Sequence, residues 1–120
     1  MFGIFRSPGA SVAYDPKTAV SEAHEGRITL VDIREHAEVK ATGKAKGALH
    51  VPLAALRMKA DPASPEQLAE FRAGKPVVLY CASGGRSQMA ARMLRQMGLD
   101  EVYNLGGLAH WQMAGGLIGR

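Results

Sequence analysis

Short apolar runs alternate with amphipathic segments along most of the chain. The runs are brief and rich in β-branched or aromatic side chains, which is typical of the buried strands of a parallel sheet. We predict strands at residues 28–33, 49–51, 77–80 and 102–105. Strands that alternate with helices specify an α/β fold, here a mostly parallel sheet of four to five strands with helices on both faces.

The first helix has clear end signals. Asp15 is a candidate N-cap, Pro16 suits the first helical position, and Gly26 closes the helix. A second helix is expected near Glu35, and a brief one over residues 53–59. Residues 64–67, Ser-Pro-Glu-Gln, have the pattern of a capping box with proline in the first turn, which predicts a further helix as far as Gly74.

The helix after the third strand is predicted from apolar residues at helical spacing, with Gly98 as its C-cap. Its apolar residues are Met89, Ala90, Met93, Leu94 and Met97. A final helical turn carries His110, Trp111 and Met113. We expect Trp111 and the methionines of the Met89 helix to lie in the core.

Composition and length limit the domain organisation. The 120 residues, 47% of them hydrophobic, suffice for one modest core, and we expect a single domain over residues 13–120. Residues 1–12 show no sustained period and are predicted to form an arm or a short edge strand. No apolar run is long enough to span a bilayer, and the first six residues lack the features of a secretion signal. We therefore expect a cytoplasmic protein with no membrane partner.

Charge and histidine spacing narrow the classes of ligand. The net charge of +4 is dispersed and aromatic residues are few, which does not favour a nucleic-acid groove, although a mild positive bias attracts small anions. The four histidines share no metal-ligand spacing with each other or with the cysteine. We predict no nucleic-acid partner, no metal and no other cofactor. These histidines are His24, His36, His50 and His110.

The chain has one cysteine, Cys81, which excludes an internal disulfide. Cys81 follows a predicted strand and precedes a loop that contains Gly84 and Gly85 and opens a helix. Loop amides and the positive end of the helix dipole converge at such a position and stabilise a thiolate, as does the nearby Arg86. Cys81 is therefore a candidate reactive thiol. The alternative is a structural cysteine in the core.

Residues 81–87, Cys-Ala-Ser-Gly-Gly-Arg-Ser, resemble the active-site loop of the rhodanese family of sulfurtransferases. Residues 30–35 with Glu38 resemble the family's early strand ending in Asp-x-Arg-Glu, and residues 47–52 resemble its Gly-Ala-x-x-[Ile/Val]-Pro segment. Residues 102–107, followed by Trp111 and Gly115, resemble its closing strand, double glycine and tryptophan. The chain departs from the family at residues 43–48 and 116–118, and we expect these departures to affect local packing or rim contacts.

The resemblance implies a five-stranded sheet with Cys81 at the C-terminal edge of its central strand. It implies sulfur transfer through a persulfide on Cys81, from a small anionic donor such as thiosulfate to cyanide or a thiol, or between protein partners. Arg86 would hold the donor's sulfonate oxygens while loop amides cradle the persulfide. The substrate-binding residues would be Ala82, Ser83, Gly84, Gly85, Arg86 and Ser87.

Two residues near the early strand have a supporting role in this interpretation. Asp32 and Arg34 are expected to form an ion pair or to cap the helix near Glu35, and the resemblance implies that Asp32 supports the structure near the loop.

Two other functions remain open. Cysteine-dependent phosphatases and arsenate reductases use the same thiolate chemistry, but they typically have a Cys-x5-Arg loop, whereas Cys81 and Arg86 make Cys-x4-Arg. A sulfur-carrier or anion-binding module without fast turnover is the third possibility.

Overall fold

A computed structural model describes residues 11–120, so most of the arm predicted for residues 1–12 lies outside the described part. Within residues 11–120, no helix combines the length and apolarity needed to cross a membrane. Five α-helices, six strands and a 3-10 helix follow one another along these residues. Their order is α1 (Pro16–His24), β1 (Thr29–Asp32), α2 (His36–Thr42), β2 (Lys44–Ala45), β3 (Leu49–His50), α3 (Leu53–Ala60), the 3-10 helix (Ala69–Arg72), β4 (Val77–Cys81), α4 (Gly85–Gln96), β5 (Val102–Gly107), α5 (Leu108–Met113) and β6 (Ile118–Gly119).

Four strands form a parallel sheet in the order β3-β1-β4-β5, which confirms the predicted α/β class. Beyond β5, Ala13 makes a single parallel bridge to Asn104, so a fifth chain segment lies at that edge. β4 therefore occupies the middle of the sheet. Because parallel strands all end at the same edge, the C-terminal end of β4 lies between the ends of its two neighbours.

Two apolar layers cover the two faces of the sheet. On one face, Val31, Leu79 and Cys81 pack with residues of α3 and α4, including Leu56 and Leu94. On the other face, alternate strand residues pack with Ala19 of α1 and with Leu108 and Trp111 of α5. Side chains alternate along each strand, so Tyr80 faces the α1/α5 side and Cys81 the α3/α4 side.

Helix α1 has the predicted ends. The Asp15 carboxylate accepts a hydrogen bond from the Thr18 amide at 2.9 Å, and Pro16 occupies the first helical position. Gly26 adopts φ +71° just after the helix. This end pattern was predictable because it depends only on neighbouring residues.

Helix α4 differs from its prediction in which side chains it buries. It begins at Gly85, and Met89 is 67% exposed rather than in the core. Arg95 is buried instead, because its Nε donates to the Val102 carbonyl at 2.9 Å and its guanidinium lies over the ring of Tyr103. The prediction that Trp111 lies in the core is confirmed.

The helix predicted over residues 64–74 is wrong. This stretch forms turns and only the 3-10 helix at its end. The amide side chain of Gln67 donates to the Ala60 carbonyl at 2.9 Å, and the backbone amide of Leu68 donates to the Lys59 carbonyl. Both bonds satisfy the last carbonyls of α3, so Gln67 is not available to complete a capping box.

Residues 43–48 and 116–118, which depart from the family pattern, lie at two strands that pair with each other. β2 and β6 form a small antiparallel ladder, with Lys44 opposite Gly119 and Ala45 opposite Ile118. Gly43 adopts φ +77°, and a Cβ there would lie 2.6 Å from the Gly119 carbonyl oxygen. Both departures therefore lie in or beside this ladder, and their effect on local packing stays a prediction.

Asp32 and Arg34 form a buried ion pair at the carboxyl edge of the sheet, with 2.8 Å between Arg34 Nη2 and Asp32 Oδ2. The Tyr80 hydroxyl donates to Asp32 Oδ2 at 2.6 Å and accepts the Ala45 amide at 2.8 Å. Burial and the hydrogen bond to Asp32 raise the pKa of Tyr80, so its hydroxyl keeps its proton. The network joins β1, β4 and β2.

Replacing Tyr80 by Phe should lower the free energy of unfolding by about 1–3 kcal/mol, because Asp32 and the Ala45 amide each lose a buried partner. Urea denaturation measures the change. The matched control is Tyr103→Phe, whose hydroxyl bonds the exposed Glu101, and it should cost less than about 1 kcal/mol. Equal losses in the two variants would contradict a central role for the Tyr80 hydroxyl.

Candidate active site

Cys81 is the last residue of the central strand β4 and is 1% exposed. Residues 82–84 turn the chain, and α4 begins at Gly85. Ala82, Ser83 and Gly85 are exposed, so the sulfur lies beneath a loop that faces solvent. This is the place at which an open α/β sheet positions ligands, at the carboxyl ends of its strands.

Two donors approach the sulfur of Cys81 directly. The Gly84 amide lies 3.0 Å from Sγ and the Ser87 hydroxyl 3.3 Å. Burial alone would raise the pKa of the thiol, but the hydroxyl of Ser87 and the backbone amides of Ser87, Gly84 and Ser83 outweigh it and lower the pKa below its ordinary value. Hydrogen bonds to the thiolate therefore dominate at this site.

Close backbone approach fixes the loop against the end of β5. Gly84 has φ +107°, and a Cβ there would lie 3.2 Å from the Gly106 Cα. A Cβ on Gly107 would lie 2.2 Å from the Ala82 carbonyl oxygen, which no relaxation of a flexible side chain could relieve. Only glycine allows the loop and strand to approach this closely.

Asn104 clamps the loop and was not predicted as a site residue. Its Oδ1 accepts the Gly106 amide at 2.9 Å and lies 2.6 Å from Ser87 Oγ, whose single proton can go either to this oxygen or to Cys81 Sγ. Its Nδ2 donates to the Gly84 carbonyl at 3.1 Å. The side chain is buried. The available signal was a lone amide within the apolar run of β5, two residues before the double glycine.

Arg86 is paired with Glu38 of helix α2. Arg86 Nη1 contacts Glu38 Oε1 and Nη2 contacts Oε2, both at 2.9 Å, with about one third of each side chain exposed. The hydrogen bond from Arg86 lowers the pKa of Glu38 to about 2, assisted by the amide of Glu35. The pKa of Arg86 rises, chiefly through Glu38 and to a smaller degree through the charge of Cys81. The resemblance included Glu38 but did not predict this partner.

Asp32 and Arg34 reach the loop only indirectly. Asp32 lies in register with Tyr80, on the face of the sheet away from Cys81. Arg34 donates to the Thr42 hydroxyl at 3.0 Å and to the Gly43 carbonyl at 2.8 Å. These bonds hold the end of α2, the helix that carries Glu38.

His50 is the last residue of β3 and therefore lies at the carboxyl edge of the sheet. Its ring Nε2 is 2.7 Å from the Arg34 carbonyl oxygen. Among residues 11–120, no three His, Cys, Asp or Glu side chains are arranged to hold a metal ion.

A shallow cleft of about 440 Å³ lies beside the loop. Its lining is mostly backbone and small polar side chains, with the exposed Met89 at one side. The lining residues are Ser83, Gly84, Gly85, Gln88, Met89, Asn104 and Gly106.

Residues 15–114 match the family described as "Rhodanese-like domain". A protein named sulfurtransferase from Allochromatium vinosum is 37% identical over 89 residues, which cover 73% of this chain and 75% of that protein. The uncharacterized protein YqhL of Bacillus subtilis is 40% identical over 86 residues, 71% of this chain. The chain spans only 61% of the length of YqhL.

Two solved structures are similar to the fold. A Rhodopseudomonas palustris protein of unknown function, described as a possible tyrosine phosphatase, superimposes with a TM-score of 0.78 at 31% identity, covering 97% of this chain and 96% of that one. The human single-domain sulfurtransferase TSTD1 superimposes with a TM-score of 0.63 at 28% identity, covering 90% of this chain and 96% of that one.

Replacing Ser87 by Ala should raise the pKa of Cys81, because the thiolate loses its hydroxyl donor. A higher pKa leaves less thiolate at any pH below it, so alkylation by iodoacetamide at pH 7 should slow by about threefold or more, and its midpoint should move to higher pH. The control Ser83→Ala keeps the amide that Ser83 contributes and should leave the midpoint unchanged. A midpoint that stays in place in Ser87→Ala would contradict this account.

Proposed function

The chain belongs to the rhodanese-like domain family, and on that basis we propose that it is a sulfurtransferase that carries sulfur as a persulfide on Cys81. The observation that carries the proposal is the environment of the sulfur. Hydroxyl and amide donors converge on Sγ and lower the pKa of the thiol despite its burial. A stabilised thiolate is both a nucleophile near neutral pH and a good leaving group.

In the first half-reaction, the Cys81 thiolate attacks the outer sulfur of a donor such as thiosulfate. A new S–S bond forms to Cys81, the S–S bond of the donor breaks, and sulfite leaves with the bonding electron pair. The persulfide anion replaces the thiolate within the same cradle, where the amides of Gly84 and its neighbours stabilise the negative sulfur.

In the second half-reaction, a nucleophile such as cyanide or a thiolate attacks the outer sulfur of the persulfide. The S–S bond to Cys81 breaks, its electron pair returns to Sγ, and the thiolate re-forms. The 120 residues contain one cysteine, so the acceptor of the sulfur is not another thiol within them. We propose that it is a small nucleophile or a thiol of a partner protein.

A phosphatase is the second candidate, favoured by the likeness to the possible tyrosine phosphatase of Rhodopseudomonas palustris. Two features disfavour it. The Cys-x4-Arg loop encloses a single sulfur atom better than a tetrahedral phosphate, and the arginine that would bind the phosphate is occupied by the Glu38 carboxylate. An anionic phosphate would meet a negative charge beside its site.

The third candidate is a sulfur-carrier module that loads Cys81 without fast turnover. A carrier module also forms a persulfide on Cys81 and differs from an enzyme only in its rate of turnover. Accumulation of the sulfur-loaded protein in the presence of an acceptor therefore distinguishes a carrier from an enzyme.

Incubation with a sulfane-sulfur donor should add one sulfur atom to the intact mass, and cyanide or a thiol should remove it. Thiosulfate and cysteine persulfide are the two donors to test. Replacing Cys81 by Ser should abolish both the mass gain and turnover, because the nucleophile is lost. A matching thermal melt shows that the Cys81→Ser protein is folded.

The proposal fails if neither donor adds sulfur, or if Cys81→Ser keeps substantial sulfurtransferase activity. Hydrolysis of p-nitrophenyl phosphate that depends on Cys81 would favour the phosphatase instead.

A further inference from the structure

The Arg86 guanidinium presents its terminal N–H fork to Glu38. Both Nη atoms bind the Glu38 carboxylate at 2.9 Å, in the bidentate geometry that is the strongest arrangement for this pair. Glu38 is fixed in turn, because it is the third residue of α2 and its Oε1 accepts the Glu35 amide at 2.9 Å. The cation beside Cys81 is therefore matched by a preorganised anion.

The Arg86–Glu38 pair affects sulfur donors that carry a sulfonate group differently from organic persulfides. The oxygens of a sulfonate group seek the same planar fork that Glu38 occupies. To use it, the donor must displace Glu38 and leave that carboxylate without its cation. If the donor binds beside the pair instead, its two negative charges lie near the charge of Glu38. Thiosulfate is disfavoured in either case.

An organic persulfide does not need the Arg86 guanidinium for binding. The sulfur that is transferred is the only group of the donor that becomes negatively charged at the site, and it approaches the amide of Gly84 and the hydroxyl of Ser87. Those donors remain directed at the site whether or not Arg86 is paired. The remainder of the donor leaves as a thiolate and carries no oxygens that require the guanidinium fork.

We propose that Glu38 is a specificity-determining positioning residue, which acts through Arg86 to disfavour sulfonate donors such as thiosulfate and to select organic persulfides. The inference rests on the proposed sulfurtransferase function. In the selected reaction, the Cys81 thiolate attacks the outer sulfur of R–S–S–H. A new S–S bond forms to Cys81, the S–S bond of the donor breaks, and R–S⁻ leaves with the bonding electron pair, while the proton stays on the transferred sulfur until the Cys81 persulfide ionises.

The test compares two donors on the intact chain and on Glu38→Gln. Glutamine at this position keeps the capping box of α2, because Gln serves there as well as Glu, so the variant is expected to fold. The matched control is Glu35→Gln, which makes the same change of charge at the N-cap of the same helix, about one turn from Glu38, at an exposed residue without a contact to Arg86. The donors are thiosulfate and cysteine persulfide, with cyanide as acceptor.

In Glu38→Gln, kcat/KM for thiosulfate should rise by about tenfold, mainly through a lower KM, because a neutral amide gives up the guanidinium fork and repels no anion. The value for cysteine persulfide should change by no more than about twofold, as should both values in Glu35→Gln. A merely structural role for Glu38 would change both donors together.

Three results overturn the inference. They are a parent protein that already prefers thiosulfate, an unchanged thiosulfate value in Glu38→Gln, and an equal change with both donors. The effect should also disappear when Arg86 is replaced by Gln, and its persistence there would overturn the claim that Glu38 acts through Arg86. A parent protein that takes sulfur from neither donor would instead contradict the proposed function itself.

Discussion

The buried carboxylate of Asp32 organises the carboxyl edge of the sheet. A charge that is fully removed from water is costly unless it is paired and hydrogen bonded, and Asp32 has both Arg34 and Tyr80 as partners. Through these two side chains it connects β1 with β4, β2 and the end of α2. The ends of four elements are thus tied together on the face of the sheet opposite to Cys81.

The Cys81 site depends on the Asp32 network through helix α2. Arg34 holds the end of α2, and α2 supplies Glu38 to Arg86, so the ion pair on one face positions the ion pair beside the thiol on the other. Asn104 completes the support from β5 by binding both Ser87 and the loop carbonyl of Gly84. Each group near the sulfur is therefore held by a partner on a regular element, which favours preorganisation of the site.

Stabilisation of the sulfur relies more on dipoles than on net charge. The amides and hydroxyl around Cys81 lower its pKa, while the nearest cation is already matched by a carboxylate. Such a site suits a single anionic sulfur, which a persulfide provides, better than an oxyanion with several charged oxygens. On this physical basis we propose sulfur transfer rather than phosphate transfer.

Local patterns in the sequence determined the α/β class, the ends of α1 and the position of Cys81 between strand and helix, because strand periodicity, capping and turn geometry depend on residues close in the chain. Tertiary structure alone decided that Gln67 caps α3, that Arg95 is buried and Met89 exposed, and that β2 pairs with β6. It also brought Glu38 to Arg86 and Asn104 to Ser87. Those partners are far apart in sequence, and hydrogen bonds across such distances follow from packing rather than from local pattern.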